Sequence, residues 1–127
     1  VIGGLLVVAV LAHVAGLWLT SPPDVVDALL FTSPTPFSAW GVIAMWALFA
    51  TALWAMLRRR MGLSLRIWRR GHTALALVIV GGSVAHALLI EGTMEPVTKA
   101  LLCVLLFVVT AKVVADLGAW ARRPAKG

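Results

Sequence analysis

His13, His72 and His86 are the only histidines among the 127 residues, and each falls in an apolar stretch. Burying an imidazole without a partner costs several kcal/mol, so a histidine in such a place needs a reason. His72 and His86 are 14 positions apart. Four turns of an ideal helix take about 14.4 residues, so the two rings project from nearly the same face, about 21 Å apart along the axis. That is most of the roughly 30 Å hydrocarbon core of a bilayer. Neutral imidazole is an axial ligand of haem iron, and a pair of imidazoles gives a six-coordinate iron suited to electron transfer because no position stays open for exchange. One helix presents nitrogen from one side of a porphyrin only. The expectation is therefore a membrane helix bundle with b-type haem held between helices. The competing reading is a structural hydrogen bond from each histidine to a neighbouring helix. Three histidines with no other strongly polar residue near them in their segments weigh toward ligation.

The composition sets the elements that must position these rings. The chain is 61% hydrophobic and 13% charged, with a mean hydropathy of +1.00. A soluble domain of this size is far more polar, so the class is an all-α integral membrane protein. The charge of +6 comes from eleven Lys and Arg against five acidic residues. In a soluble protein it would suggest nucleic acid. Here the cations cluster between and after apolar runs, where they act as topology determinants and lipid headgroup contacts, and no nucleic acid partner is expected. The single cysteine, Cys103, sits in an apolar run and reads as a small buried hydrophobe.

Four spans are predicted, at about 1–20, 37–57, 71–90 and 97–120. Ser21-Pro22-Pro23-Asp24 ends the first span, and Pro23 and Asp24 open a short amphipathic surface helix through Phe31. Thr35 and Pro36 read as an N-cap and first helical residue for the second span. The segment 58–70 reads as a loop with six arginines, and 91–96 as a short acidic turn. The 58–70 loop and the C-terminal tail hold nine of the eleven Lys and Arg, while the other two loops hold Lys99 and four of the five acids. The positive-inside rule places the arginine loop and the tail in the cytoplasm. His72 then lies near the cytoplasmic surface, and His13 and His86 lie in the outer half.

The surroundings of the histidines carry two readings each. Arg69 and Arg70, beside His72, fix topology and are also placed to hold haem propionates by charge-assisted bonds. Trp68, four residues before His72, belongs at the headgroup level beside the inner cofactor. Gly3, Gly4, Gly16, Gly81, Gly82 and Ser83 would let a flat macrocycle approach the backbone, but small residues also serve ordinary close helix packing, which is the favoured reading. Lys112 and Asp116, four apart, read as a snorkelling salt bridge rather than a proton path.

The run Trp68-Arg69-Arg70-Gly71-His72, followed by an apolar stretch and His86, resembles the W-R-x-x-H signature and second histidine of the ferric reductase-like transmembrane domain. That domain is the membrane core shared by NADPH oxidases and metalloreductases. His13-Val14-Ala15-Gly16-Leu17-Trp18 looks like the end of its other histidine-bearing helix. The resemblance covers nearly the whole chain, as the last four of the family's six helices. It implies His13 and His86 as axial ligands of an outer haem b, and His72 as one ligand of an inner haem. The inner partner would lie about fourteen residues before His13, just ahead of Val1. The chain is accordingly expected to be one transmembrane haem-binding domain over 1–127, truncated at its start, with two haems in the full-length protein.

The expected activity is transmembrane electron transfer from a cytoplasmic flavin-type donor to an acceptor outside, in a bacterial plasma membrane. No glycine-rich dinucleotide motif is present in the sequence, so the flavin or NAD(P)H module would be separate. One rival keeps the haem but exchanges electrons with quinone. The other is a haem-free structural or transport bundle.

Overall fold

The computed structural model describes residues 2–58, 60–92 and 94–117, and every regular element among them is a helix. The order is α1 (Ile2–Thr20), α2 (Pro22–Leu29), α3 (Pro36–Leu57), α4 (Leu65–Leu89) and α5 (Pro96–Leu117). All but α2 are long and apolar enough to cross a membrane, at 19, 22, 25 and 22 residues. At 1.5 Å per residue each covers a hydrocarbon core of roughly 30 Å, and the protein is an integral membrane protein. Trp120, Arg122, Arg123 and Lys126, and the last residues of the predicted fourth span, lie outside the described residues.

Prolines set the starts of three helices. Pro22 and Pro23 occupy the first positions of α2, and Pro36 begins α3, where a missing N–H costs nothing. Thr35 holds the N-cap position with extended backbone, yet its hydroxyl does not cap. It bonds the hydroxyls of Ser33 and Ser38 instead. At α5 the capping falls to Glu95, whose carboxylate accepts from Val97 N at 3.0 Å and Thr98 N at 2.7 Å. Lys99 Nζ closes the other side of that turn by donating to Ile90 O at 2.5 Å, at the C-terminal end of α4.

The third span begins earlier than the sequence suggests. Residues 65–70, expected in the arginine loop, are the first turns of α4. Ser64 is the reason: its hydroxyl accepts from Ile67 N at 3.3 Å as an N-cap, and Leu and Arg propagate helix well. His72 therefore sits about two turns inside a helix rather than at its mouth.

The tightest seam joins α3 and α4. A Cβ built on Gly82 would meet Trp40 O at 3.0 Å and Ala44 Cβ at 3.1 Å, and one on Gly71 would meet the Trp54 ring at 3.1 Å. Val42, Ala44, Ala47 and Leu48 of α3, with Thr73 and Gly82 of α4, are buried. Close packing thus accounts for Gly82. Gly3, Gly4, Gly16 and Gly81 have open space where a Cβ would stand. Helix α5 packs on α4, and α1 packs on α2 and α3 without contacting α4. The gap between α1 and α4 is where the candidate site lies.

Candidate functional site

A cavity of about 450 Å³ fills that gap, bounded by α1, α2, α3 and α4. This lies within the few hundred Å³ typical of ligand pockets. His13 and His86 both line it, on opposite sides of the gap between helices that do not touch. The walls are mainly aliphatic, with Val10, Leu48 and Ile79 among them. Toward α2 the lining turns polar, with Ser21, Asp24, Ser33, Thr35 and Ser38.

His86 is held in one orientation. Its Nδ1 lies 2.7 Å from Phe37 O. A carbonyl only accepts, so Nδ1 carries the proton and donates, which leaves Nε2 with a lone pair in the neutral ring. Phe37 O has a second lone pair for this bond beyond its place in the helical ladder. The Phe37 ring meets the imidazole edge-on, 5.6 Å between centroids and 73° between planes. Room for the ring comes from Gly41, one turn beyond Phe37 on the same face of α3. A Cβ there would stand 2.7 Å from His86 Nδ1 and 2.8 Å from Cε1. Donation from the second ring nitrogen to a carbonyl is the arrangement that orients metal-bound histidines and raises their basicity.

His13 is exposed on α1 and makes no hydrogen bond among the described residues. It and His86 are the two imidazoles on the cavity lining. Among the described residues no cluster of three or more His, Cys, Asp or Glu could hold a bare metal ion. A haem in this cavity would find two imidazoles, His13 and His86, on its lining. Its propionates would find serine and threonine hydroxyls, since no lysine or arginine among the described residues lines the cavity.

His72 lies apart, fourteen positions down α4 from His86. Its ring stacks on Trp68 with centroids 4.9 Å apart and planes 10° apart, and Arg58 covers the Trp68 ring at 4.5 Å. Its Nδ1 is buried and has no hydrogen-bond partner. Arg69 reaches across to α5, donating from Nη2 to Leu117 O at 2.6 Å. This bond takes one donor of its five and ties the end of α5 to α4. Arg70, exposed on the same turn, is also engaged. Lys112 and Asp116 form the expected pair at 2.6 Å, with both side chains exposed.

The sequence reading missed Gly41, the Phe37 carbonyl and the hydroxyl cluster at the cavity mouth. Gly41 offered one signal, since glycine inside a helix costs about 1 kcal/mol relative to alanine and calls for a packing reason. Comparison with protein-family models, with curated proteins and with solved structures finds no match. The resemblance to the ferric reductase-like domain rests on the quoted residues alone.

Proposed function

We propose that the protein carries electrons across a membrane through b-type haem, in the manner of the ferric reductase-like transmembrane domain. The observation that supports this most is the preparation of His86: its Nδ1 proton is committed to Phe37 O, and its ring borders a cavity that His13 also lines. In this reading His13 and His86 hold the outer haem from α1 and α4. His72 would serve as one ligand of an inner haem. Haem supplies one-electron exchange between ferric and ferrous iron. The chain's own residues orient and tune. The Phe37 carbonyl draws on the Nδ1 proton and makes Nε2 a stronger donor, which favours the ferric state. The mainly aliphatic walls lower the polarity around the site.

The positive-inside rule, applied to the arginines at the α3–α4 turn, supports a cytoplasmic position for that end, where a flavin-type donor would deliver electrons. The plasma membrane of a bacterium fits this arrangement. A second reading is favoured by the Ser33, Thr35 and Ser38 hydroxyls in an otherwise apolar cavity. They could bond a quinone carbonyl, making the chain a haem-bearing anchor that exchanges electrons with quinone. A haem-free bundle would also use the His86–Phe37 bond.

Reduced-minus-oxidised absorption spectra of the purified protein separate these readings. The expected result is a low-spin b-type spectrum that His86→Ala abolishes or converts to high spin. No haem in the wild-type protein, or an unchanged low-spin spectrum and haem content in His86→Ala, would contradict the proposal. Reduction of ferric chelates against reduction of quinone then assigns the acceptor.

A further inference from the structure

The cavity that His13 and His86 line lies toward the end of the bundle where α1 and α4 finish and α3 and α5 begin. The charge at that end is lopsided. Among the described residues Asp24, Asp27, Glu91 and Glu95 are there, and Lys99 is the one cation. Lys99 is turned to the backbone, donating from Nζ to Ile90 O at 2.5 Å and Leu88 O at 3.5 Å. Two of the acids are engaged as well. Asp27 Oδ1 accepts from Thr32 Oγ1 at 3.2 Å, and Glu95 caps α5.

Asp24 differs. It is exposed, its side chain has no hydrogen-bond or ion-pair partner among the described residues, and it borders the cavity. Histidines aside, it is the one ionisable residue on the described lining. The hydroxyls of Ser21, Ser33, Thr35 and Ser38 are neutral and can donate or accept, so they set no preference for sign. The mainly aliphatic walls weaken a field less than water does, and a cleft with such walls concentrates the potential of its charged group. At the far end of the bundle the sign is reversed. Arg58, Arg60, Arg66, Arg69 and Arg70 lie around the α3–α4 turn, and Asp116 on α5 is paired with Lys112.

We infer that the His13–His86 cavity favours uncharged or cationic solutes arriving from water over anionic ones, and that Asp24 sets this preference. Joined to the proposed haem function, on which this step rests, it makes the electron acceptor a neutral or cationic molecule and disfavours an anionic ferric chelate. The charge preference itself does not depend on haem.

The test uses the whole chain in phosphatidylcholine nanodiscs, at mildly alkaline pH where imidazole is ordinarily neutral. Isotope labelling of histidine alone lets His13, His72 and His86 report separately by NMR. The probes are tris(ethylenediamine)chromium(III) and hexacyanochromate(III), tripositive and trinegative paramagnetic ions that speed the relaxation of nearby nuclei. At low ionic strength the cation should act more strongly than the anion at His86, and less strongly at His72. Asp24→Asn should cut the cation's effect at His86 about fourfold and raise the anion's by a similar factor, as one charge about 10 Å from a triply charged probe implies. Asp24→Glu keeps the charge and should match the wild type. Equal action of the two probes at His86 in the wild type would overturn the inference. So would changes of the same direction for both probes in Asp24→Asn, which would mean a wider cavity and not an altered field. If Asp24→Asn loses the resolved signals of the folded chain, added salt decides: the preference at His86 must fade as the screening length falls below about 10 Å, and indifference to salt would overturn it. In the haem-loaded protein, Asp24→Asn should slow oxidation of reduced haem by hexaammineruthenium(III) and speed it by hexacyanoferrate(III). Absence of haem would remove the acceptor step and the haem reading together, leaving the charge preference to the histidine signals. Haem present but both oxidations shifted in the same direction would overturn the role of Asp24 and leave the haem reading standing.

Discussion

The two ends of α4 hold a histidine each and treat it in opposite ways. At one end His86 has a partner for Nδ1, a glycine that clears space for its ring, and a cavity at its side. At the other His72 is stacked on Trp68, whose ring Arg58 also covers, with its Nδ1 buried and unpaired. The difference is between a ring that its neighbours orient and one whose buried nitrogen they leave unsatisfied. An imidazole prepared for iron has one nitrogen satisfied and the other free beside open volume. An imidazole with a buried orphan nitrogen instead carries an unmet desolvation cost.

The sharpest way to break this contrast is at Gly41. Gly41→Leu should push the His86 ring off Phe37 O, because even its Cβ would overlap Nδ1. We expect haem affinity to fall by about 100-fold, the upper range for loss of an outer-shell partner, and stability to fall by about 1–3 kcal/mol. Gly81→Leu is the control, since a Cβ there meets nothing. Haem titration followed by absorbance checks both. Equal effects at 41 and 81 would show that the glycine has no special bearing on His86.

A smaller effect is expected from the histidines themselves in the haem-free protein. His86→Leu leaves Phe37 O without its added donor and should lower stability by about 1 kcal/mol. His72→Leu removes a buried unpaired nitrogen, a gain of about 1–3 kcal/mol, and loses a ring stack worth about 0.5–1.5 kcal/mol. Its stability should therefore be unchanged or slightly raised. Unfolding in mixed micelles measures the pair, and a greater loss for His72→Leu than for His86→Leu would reverse the contrast.

Most of the architecture was legible in the sequence because apolar length and proline position leave few choices. Pro23 and Pro36 were legible as helix starts, Pro96 was read as the end of the acidic turn though it begins α5, and all the spans but the start of α4 fall close to their predicted bounds. The start of α4 was hidden because a dense run of arginines reads as loop, while the Ser64 cap that extends the helix is a single residue. The His86 environment was less legible for a different reason. Gly41 and His86 are 45 positions apart, and only the α3–α4 seam brings them together. A glycine's clearance has no local pattern. His13 and His86 shared a predicted depth, but their common cavity depends on α2 and α3 holding α1 away from α4.

The smallest expected effect lies at the α4–α5 turn, which neither histidine touches. Backbone N–H bonds from Thr98 and Val97, and the Thr98 hydroxyl, hold the Glu95 carboxyl below its ordinary value of 4.5. A depressed folded pKa gives stability that is present above the unfolded value and fades as pH falls through the folded one. Amide exchange at Val97 and Thr98 should therefore speed up below about pH 4.5 in the wild type and show no such step in Glu95→Gln. A step retained in Glu95→Gln would assign it to another group.

The account turns on joint ligation by His13 and His86. Its most direct test is the reduced spectrum and pyridine haemochrome content of His72→Leu, alone and with His13→Ala added. Joint ligation predicts that His72→Leu retains one low-spin haem per chain and that the double variant loses it. A low-spin haem retained at full content in the double variant would contradict it.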